Sequence, residues 1–490
     1  MSDPLALLPL AIAAGGGRIG AFGDDVDFEA QQLVAAGLTL LQRSATLVRA
    51  LSGKRSALLL PTSPAFITAL AASDGRGAVL INPLAAPAEI AFQCADANVG
   101  AVFTIASFAP RIPPHLPVVL LDDSPRTARV IVGDRSSDVD LGSHHGLSIE
   151  GERDVEGRDE EAVIVYTSAM RGTPLGAILT HRNLLVNARA TIDAMGIRSS
   201  DHVLAILPYA HLFGLTVTAS AALLAGARVT TMDRFNPVKA AESLASGVTV
   251  ITGVPAVYNA MLTAIERRGI RFENTTLRLC VCGGAVLPTE LQHRWAEATG
   301  IELREGYGLT EAGPVCLFNR PDAPNARGTL GVQFPGVEVA IFPPADYEHD
   351  IAMPSADPLP DGESGEICVR GDNVSPGYVG GARGLPRRGE WLHTGDEGLR
   401  DADGRVTFLG LLKPMFTRNG FNVYPREIER VVGAMPGVTH VVCSPIPDPA
   451  KENDILLRVT GDVSETDVKK WCEQRLSLYK QPTVVELAGR

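Results

Sequence analysis

The sequence predicts an α/β protein. A large N-terminal domain of parallel-sheet α/β subdomains carries a small β-barrel-like part, and a small α+β C-terminal lid follows. Three observations predict this. Strand-like apolar runs alternate with amphipathic stretches through most of the chain, the pattern of βαβ units. The 490 residues exceed what one ordinary hydrophobic core supports. The character of the chain also changes near Lys413, so the domains are set at 1–409 and 410–490 with a hinge near Lys413.

The strands are read from "SALLLPT" (56–62), "GAVLINP" (77–83), "GAVFTIA" (100–106), "PVVLLDD" (117–123) and "VTVITGVP" (248–255). "PAEIAFQCADANV" and "AVYNAMLTAIERRG" place apolar residues at helical spacing between them. Residues 124–160 and 343–364 are polar or rich in Pro, Asp and Ser, and read as loops. "GEICVRGDNVSPGYVG" and "GRVTFLGLL" alternate like antiparallel strands. "YPREIERVVGAMPGVTHVVCSPIPDP" reads as helix, turn and strand, and "ILLRVTGDVSETDVKKWCEQRLSLYKQPTVVEL" as strand, helix and strand.

The net charge of −12 argues against nucleic acid as a partner, because tracking phosphates needs an excess of Lys and Arg. Seven cysteines at irregular spacing suit a reducing compartment without a disulfide framework. The N-terminal "MSDPLALLPLAIAAGGG" has no basic flank and is too short to span a membrane. A cytoplasmic protein with no transmembrane segment is expected.

"VIVYTSAMRGTPLGAILTHRNLL" (163–185) carries the chemistry forward. An apolar strand runs into Thr167 and Ser168, glycines follow, and a helix opens near Thr180. Glycines admit backbone N–H groups to an anion, and a helix N-terminus adds partial positive charge. "EGYGLTEAGP" (305–314) places Tyr307, Thr310 and Glu311 on one loop. The ring can stack on a purine, the hydroxyl can meet a phosphate, and the carboxylate can hold magnesium bridging phosphates. "CGGAVLP" (282–288) offers a backbone platform for a base. "WLHTGDEG" (391–398) puts Asp396 after a tight turn, where it can take two ribose hydroxyls. "LPYAHLFG" (207–214) sets His211 among apolar residues.

In this order the fragments resemble the adenylate-forming superfamily of acyl- and aryl-CoA synthetases, adenylation domains and luciferases. "YGLTEAG", "WLHTGD" and "NVYPREIE" are its strongest markers, and the likeness spans roughly residues 160–430. The resemblance implies that a small-molecule carboxylic acid, fatty or otherwise apolar, is activated by ATP and Mg²⁺ as an acyl-adenylate. CoA or a carrier-protein pantetheine then takes the acyl group, and a homodimer is compatible. It implies that Thr167, Ser168 and Gly172 line the β/γ-phosphate loop and that Thr310 touches the α-phosphate. Glu311 would hold Mg²⁺. Gly284, Ala285, Tyr307 and Gly308 would border adenine, and Asp396 would bind ribose. His211 would sit at the acid, Lys413 at the hinge and Gly420 at the pantetheine tunnel.

The chain departs from the family in its cations. Leu175 stands where the phosphate loop usually has lysine, Leu411 where arginine precedes the hinge, and Pro414 and Thr417 where polar or cationic residues follow it. "YKQPTVVELAGR" is reached without the family's late lysine, and Lys480 is not its replacement. Such donors are worth about 3–4 kcal/mol each, or roughly 10²–10³ in rate, so slow adenylation is expected. Arg171 is the candidate replacement, a cation on the same loop able to grip phosphate through two N–H groups. The alternatives are a non-catalytic binder of acyl-adenylate or acyl-CoA and a ligase that loads a carrier protein.

Overall fold

The computed structural model describes residues 7–24, 26–73, 77–122, 124–142, 159–167, 172–347, 357–448 and 451–488. Two nine-stranded sheets dominate. The first runs Val332–Gln333, Val315–Phe318, Leu303–Gly308, Leu279–Cys282, Val250–Gly253, His202–Ala205, Arg228–Thr231, Arg18–Ala21 and Asp27–Glu29 from edge to edge. Its strands from Leu303–Gly308 to Arg18–Ala21 are parallel, and the edges are antiparallel. The second runs Gly377–Tyr378, Leu175–Thr180, Glu161–Thr167, Ala78–Leu80, Arg55–Leu59, Val99–Thr104, Val118–Leu121, Thr127–Val132 and Arg135–Asp140. Its centre, from Glu161–Thr167 to Val118–Leu121, is parallel.

Burial explains why the central strands read as unbroken apolar runs. Leu8, Leu33, Phe66 and Leu184 from helices join Leu58 and Val163 of one sheet and Val203 and Val250 of the other in a single core. The outer face of the first sheet packs Met261, Leu262 and Trp295 against Cys280 and Ile251. The outer face of the second packs Ile90 and Cys94 against Ala57 and Val102. With helices on both faces, no strand can afford alternation. The helix Ala65–Ala72 is buried at every position and is accordingly apolar all round.

Three local expectations need correction. Residues 124–142 are not a loop: Thr127–Val132 and Arg135–Asp140 form a hairpin on the sheet edge, closed by Gly133 at φ 58° and by an Arg129–Asp138 ion pair of 2.7 Å. The alternation in "TARVIV" outweighs the polar surroundings. The stretch after Thr167 is not strand, turn and helix. "LGAILT" returns as Leu175–Thr180, antiparallel to Glu161–Thr167, and only then does the helix His181–Met195 open, at Thr180 as expected, capped reciprocally by Thr180 and Asn183. That helix end therefore lies a strand's length from the loop and lends it no field. Asp396 does not follow a turn either. It lies inside the ten-residue strand Trp391–Arg400, at a bulge where Gly395 takes φ 74°.

A five-stranded antiparallel sheet containing Val337–Phe342, Ser364–Gly371, Trp391–Arg400 and Val406–Leu411 precedes the C-terminal part. Beyond it, Phe416–Arg418 and Phe421–Val423 pair across Asn419 and Gly420, both at positive φ, the tight-turn chemistry expected of Asn-Gly. The helix Pro425–Gly433, the hairpin Val438–Asp448/Glu452–Gly461, the helix Glu465–Arg475 and the strand Val484–Ala488 complete it. Its own core holds Phe416, Val423, Ile428, Leu457 and Val468.

Candidate active site

A cavity of about 890 Å³ opens where the first sheet, the five-stranded sheet and the C-terminal part meet. The bulge in Trp391–Arg400 aims one of its walls. Glu366, fully buried, accepts from Gly395 N at 2.7 Å, Ala345 N at 2.9 Å, His393 Nδ1 at 2.8 Å and the Tyr347 hydroxyl. Burial raises this carboxyl, but those donors outweigh it and hold the group below the usual carboxylate range. Among the described residues Glu366, Cys368 and His393 form the one cluster of metal-ligand types. With both Glu366 oxygens committed to protein donors, the cluster serves to fix the bulge.

The bulge presents Asp396 to the cavity. Tyr307 donates to Asp396 Oδ2 at 2.6 Å, and Lys413 Nζ lies 3.4 Å from Oδ1. Asp396 Oδ1 is buried, with the Lys413 ammonium as its neighbour. Burial opposes the charge of Lys413, but Asp396 outweighs it and raises the ammonium above its ordinary range. Burial and Asp396 together push the Tyr307 hydroxyl up, so it stays a donor.

On the opposite wall, Thr310–Ala312 forms a short helical turn carrying Glu311. Thr167 donates to Glu311 Oε1 at 3.2 Å and Tyr378 to the same oxygen at 2.9 Å. The loop bearing Tyr378 is tied to this turn by Asn373 Nδ2 to Ala312 O and by Ser375 N to Glu311 O. Both donors sit on one oxygen, so the carboxylate is fixed while Oε2 takes neither. A hard cation that wants few protein ligands fits that arrangement.

Gly284, Ala285, Gly308 and Thr310 also line the cavity, and Gly420 reaches it from the C-terminal part. A Cβ on Gly420 would stand 3.1 Å from Val254, and its φ is 75°. Gly172 does not line the cavity. Its carbonyl accepts from Arg430 Nε at 2.7 Å, and a Cβ there would stand 2.8 Å from the Arg426 carbonyl. Ser168 and Arg171 lie outside the described residues.

The AMP-binding enzyme family matches residues 41–379. This chain belongs to the AMP-binding enzyme family. It is similar to a feruloyl-CoA synthase of Amycolatopsis sp, with 31% identity over 448 residues covering 89% of this chain and 85% of that protein. It is 28% identical over 470 residues to a long-chain-fatty-acid–CoA ligase of Escherichia coli O6:H1, covering 89% and 82%. A malonyl-CoA ligase complex with methylmalonyl-CoA and AMP matches with TM-score 0.77 and 26% identity, covering 99% and 98%. An amide bond synthetase from Marinactinospora thermotolerans shares the fold, with TM-score 0.79 and 22% identity over 98% and 95%. The chain is thus an adenylate-forming ligase, and the CoA ligases above are its relatives. No helix among its described residues is long and apolar enough to cross a membrane.

In this AMP-binding enzyme His211 is half-buried and hydrogen-bonds Asn82 at 3.2 Å. Burial lowers it to about 4, so the ring is neutral at pH 7. Phe421 of the C-terminal part lies 5.5 Å from it. Leu175 and Leu411 line the cavity with apolar side chains. Two wall residues escaped the sequence reading. Tyr378 sits in a Gly-Pro-rich stretch with no pattern of its own. Glu305 reads as an ordinary strand residue, yet burial raises its carboxyl to about 8. Its folded-state pKa exceeds the free value of 4.5, so its contribution to stability is complete below pH 4.5 and is lost as pH rises through about 8.

Proposed function

We propose that this enzyme activates a small apolar carboxylic acid with ATP and transfers the acyl group to a thiol. One observation carries the reading: Thr167, Tyr307, Glu311, Asp396 and Gly420, distant in sequence, line one cavity. In the first step a carboxylate oxygen attacks the α-phosphorus. The new P–O bond forms, the bond to the bridging oxygen breaks, and pyrophosphate leaves with the electron pair. In the second step the thiol sulfur attacks the acyl carbonyl carbon. The C–S bond forms, the bond to phosphate oxygen breaks, AMP leaves and the thiol proton passes to solvent.

Asp396 takes the ribose hydroxyls, while Tyr307, Gly308, Gly284 and Ala285 border adenine. Thr310 meets the α-phosphate, and Thr167, Ser168 and Arg171 meet the outer phosphates. Glu311 would hold Mg²⁺, which supplies positive charge to the phosphates. Neutral His211 receives the acid's carboxylate without forming an ion pair that would blunt its attack. Leu212, Phe213 and Val254 line the cavity and favour an apolar acid, as the feruloyl and fatty-acid relatives suggest. Gly420, with no side chain to obstruct, lets the thiol arm of CoA or of a carrier protein pass. The lid, 410–490, turns about Lys413. Leu175 and Leu411 point to slow adenylation, and they favour as a second reading a relative that binds acyl-adenylate without making it.

The test is pyrophosphate release across aromatic, medium-chain and long-chain acids, with and without CoA. Acid-dependent release raised by CoA is expected. Turnover only with a carrier protein moves the acceptor. No turnover alongside tight binding of a non-hydrolysable acyl-adenylate supports the binding relative.

A further inference from the structure

The C-terminal part grips the N-terminal part at a second buried contact, beside the His211 end of the cavity. Lys480 Nζ lies 2.6 Å from Glu427 Oε1 and 3.0 Å from Glu89 Oε1, with the three side chains 6%, 3% and 12% exposed. Ser477 donates its hydroxyl to Glu89 Oε2. Glu89 is anchored in its own domain, because Oε2 also accepts Ala86 N at 2.8 Å and so caps the helix Pro87–Asp96. Lys480 and Glu427 belong to the same domain and move together. The Lys480–Glu89 and Ser477–Glu89 contacts therefore exist only in the lid orientation seen here.

This contact is mechanically continuous with the cavity. Tyr479, next to Lys480, stacks on Phe421 at 4.4 Å, and Phe421 packs against His211 at 5.5 Å. The hairpin turn carrying Gly420 is thus set by the same seat that Glu89 closes. A contact biases a conformational equilibrium by what it contributes in one state and not in the other. Here one buried cation joins two carboxylates, and removing its cross-domain partner costs the docked state alone.

We propose that Glu89 is a positioning residue for the thiol step: it latches the lid through Lys480 and Ser477 in the orientation that brings Gly420 and Phe421 to the cavity. The proposal rests on the two-step reading above. Glu89→Gln keeps an acceptor for the Ala86 cap and removes the charge that holds Lys480. Two readouts test it. Single-turnover transfer from preformed acyl-adenylate to CoA is expected to slow at least about tenfold in Glu89→Gln, with a raised KM for CoA. Pyrophosphate formation without thiol is expected to be unchanged or faster, and Lys480→Gln should add little to Glu89→Gln. Equal loss in both half-reactions, or none in transfer, overturns the latch. The second readout needs no activity. Nitroxide labels at the exposed positions Lys54 and Glu473 report the interdomain distance by double electron resonance. Glu89→Gln should broaden a distribution that is narrow in the unsubstituted protein, and an unchanged distribution overturns the latch. A wild-type chain without turnover whose distribution still broadens in Glu89→Gln refutes the reaction assignment and leaves the latch standing.

Discussion

Asp396→Ala is expected to destabilise the protein by about 3–5 kcal/mol and to abolish adenosine-nucleotide binding. Asp396 is the hub between the two parts of the chain. It accepts from Tyr307 at 2.6 Å and faces Lys413 Nζ at 3.4 Å, and the side chains of Lys413 and Asp396 are only 8% and 10% exposed. Alanine leaves a buried ammonium without its counter-charge and a buried phenol without its acceptor. It also removes the acceptor proposed for the ribose. Asp396→Asn separates the two roles, since the amide oxygen still serves Tyr307 while the charge opposite Lys413 is gone. Urea denaturation and AMP titration measure both effects. An alanine variant of unchanged stability would show that Lys413 is satisfied without this carboxylate, and unchanged AMP affinity would place the nucleotide elsewhere.

Glu311→Gln is expected to lower the rate of pyrophosphate release by roughly 10²–10³ while leaving stability within about 1 kcal/mol. The amide oxygen can still accept from Thr167 and Tyr378, so the turn Thr310–Ala312 keeps its place. What changes is the charge offered to a magnesium ion and the phosphates it bridges. The deficit should ease as magnesium is raised, because weaker coordination is offset by mass action. A variant with the wild-type rate at limiting magnesium would remove Glu311 from the metal's coordination.

Much of this architecture is written in local pattern. The runs 56–62, 77–83, 100–106, 117–123 and 248–255 are strands because two-sided burial demands continuous apolar residues, and that demand is visible in sequence. Asn419-Gly420 signals its own turn. The misses share a cause: they depend on partners far along the chain. Gly395 reads as a turn residue until Glu366, paired across the sheet, is seen to pull its N–H into a bulge. "LGAILT" is a strand because it pairs back on Glu161–Thr167, which the nearby glycines obscured. Tyr378 earns its role only through Glu311, and Glu89 meets Lys480 across 391 positions. Tyr307, Glu311 and Asp396 were legible because their motifs are long and ordered. The buried Lys413–Asp396 pair and the raised carboxyl of Glu305 were not, because burial is a property of the assembled fold.

The most direct measurement is a crystal structure of the full chain with a hydrolysis-resistant acyl-sulfamoyl adenosine. The account predicts adenine against Tyr307 and Gly284, both ribose hydroxyls within hydrogen-bond distance of Asp396, and the acyl group directed toward His211 and Val254. An adenosine seated outside this cavity, or an Asp396 that keeps Oδ1 clear of the ribose, would contradict it.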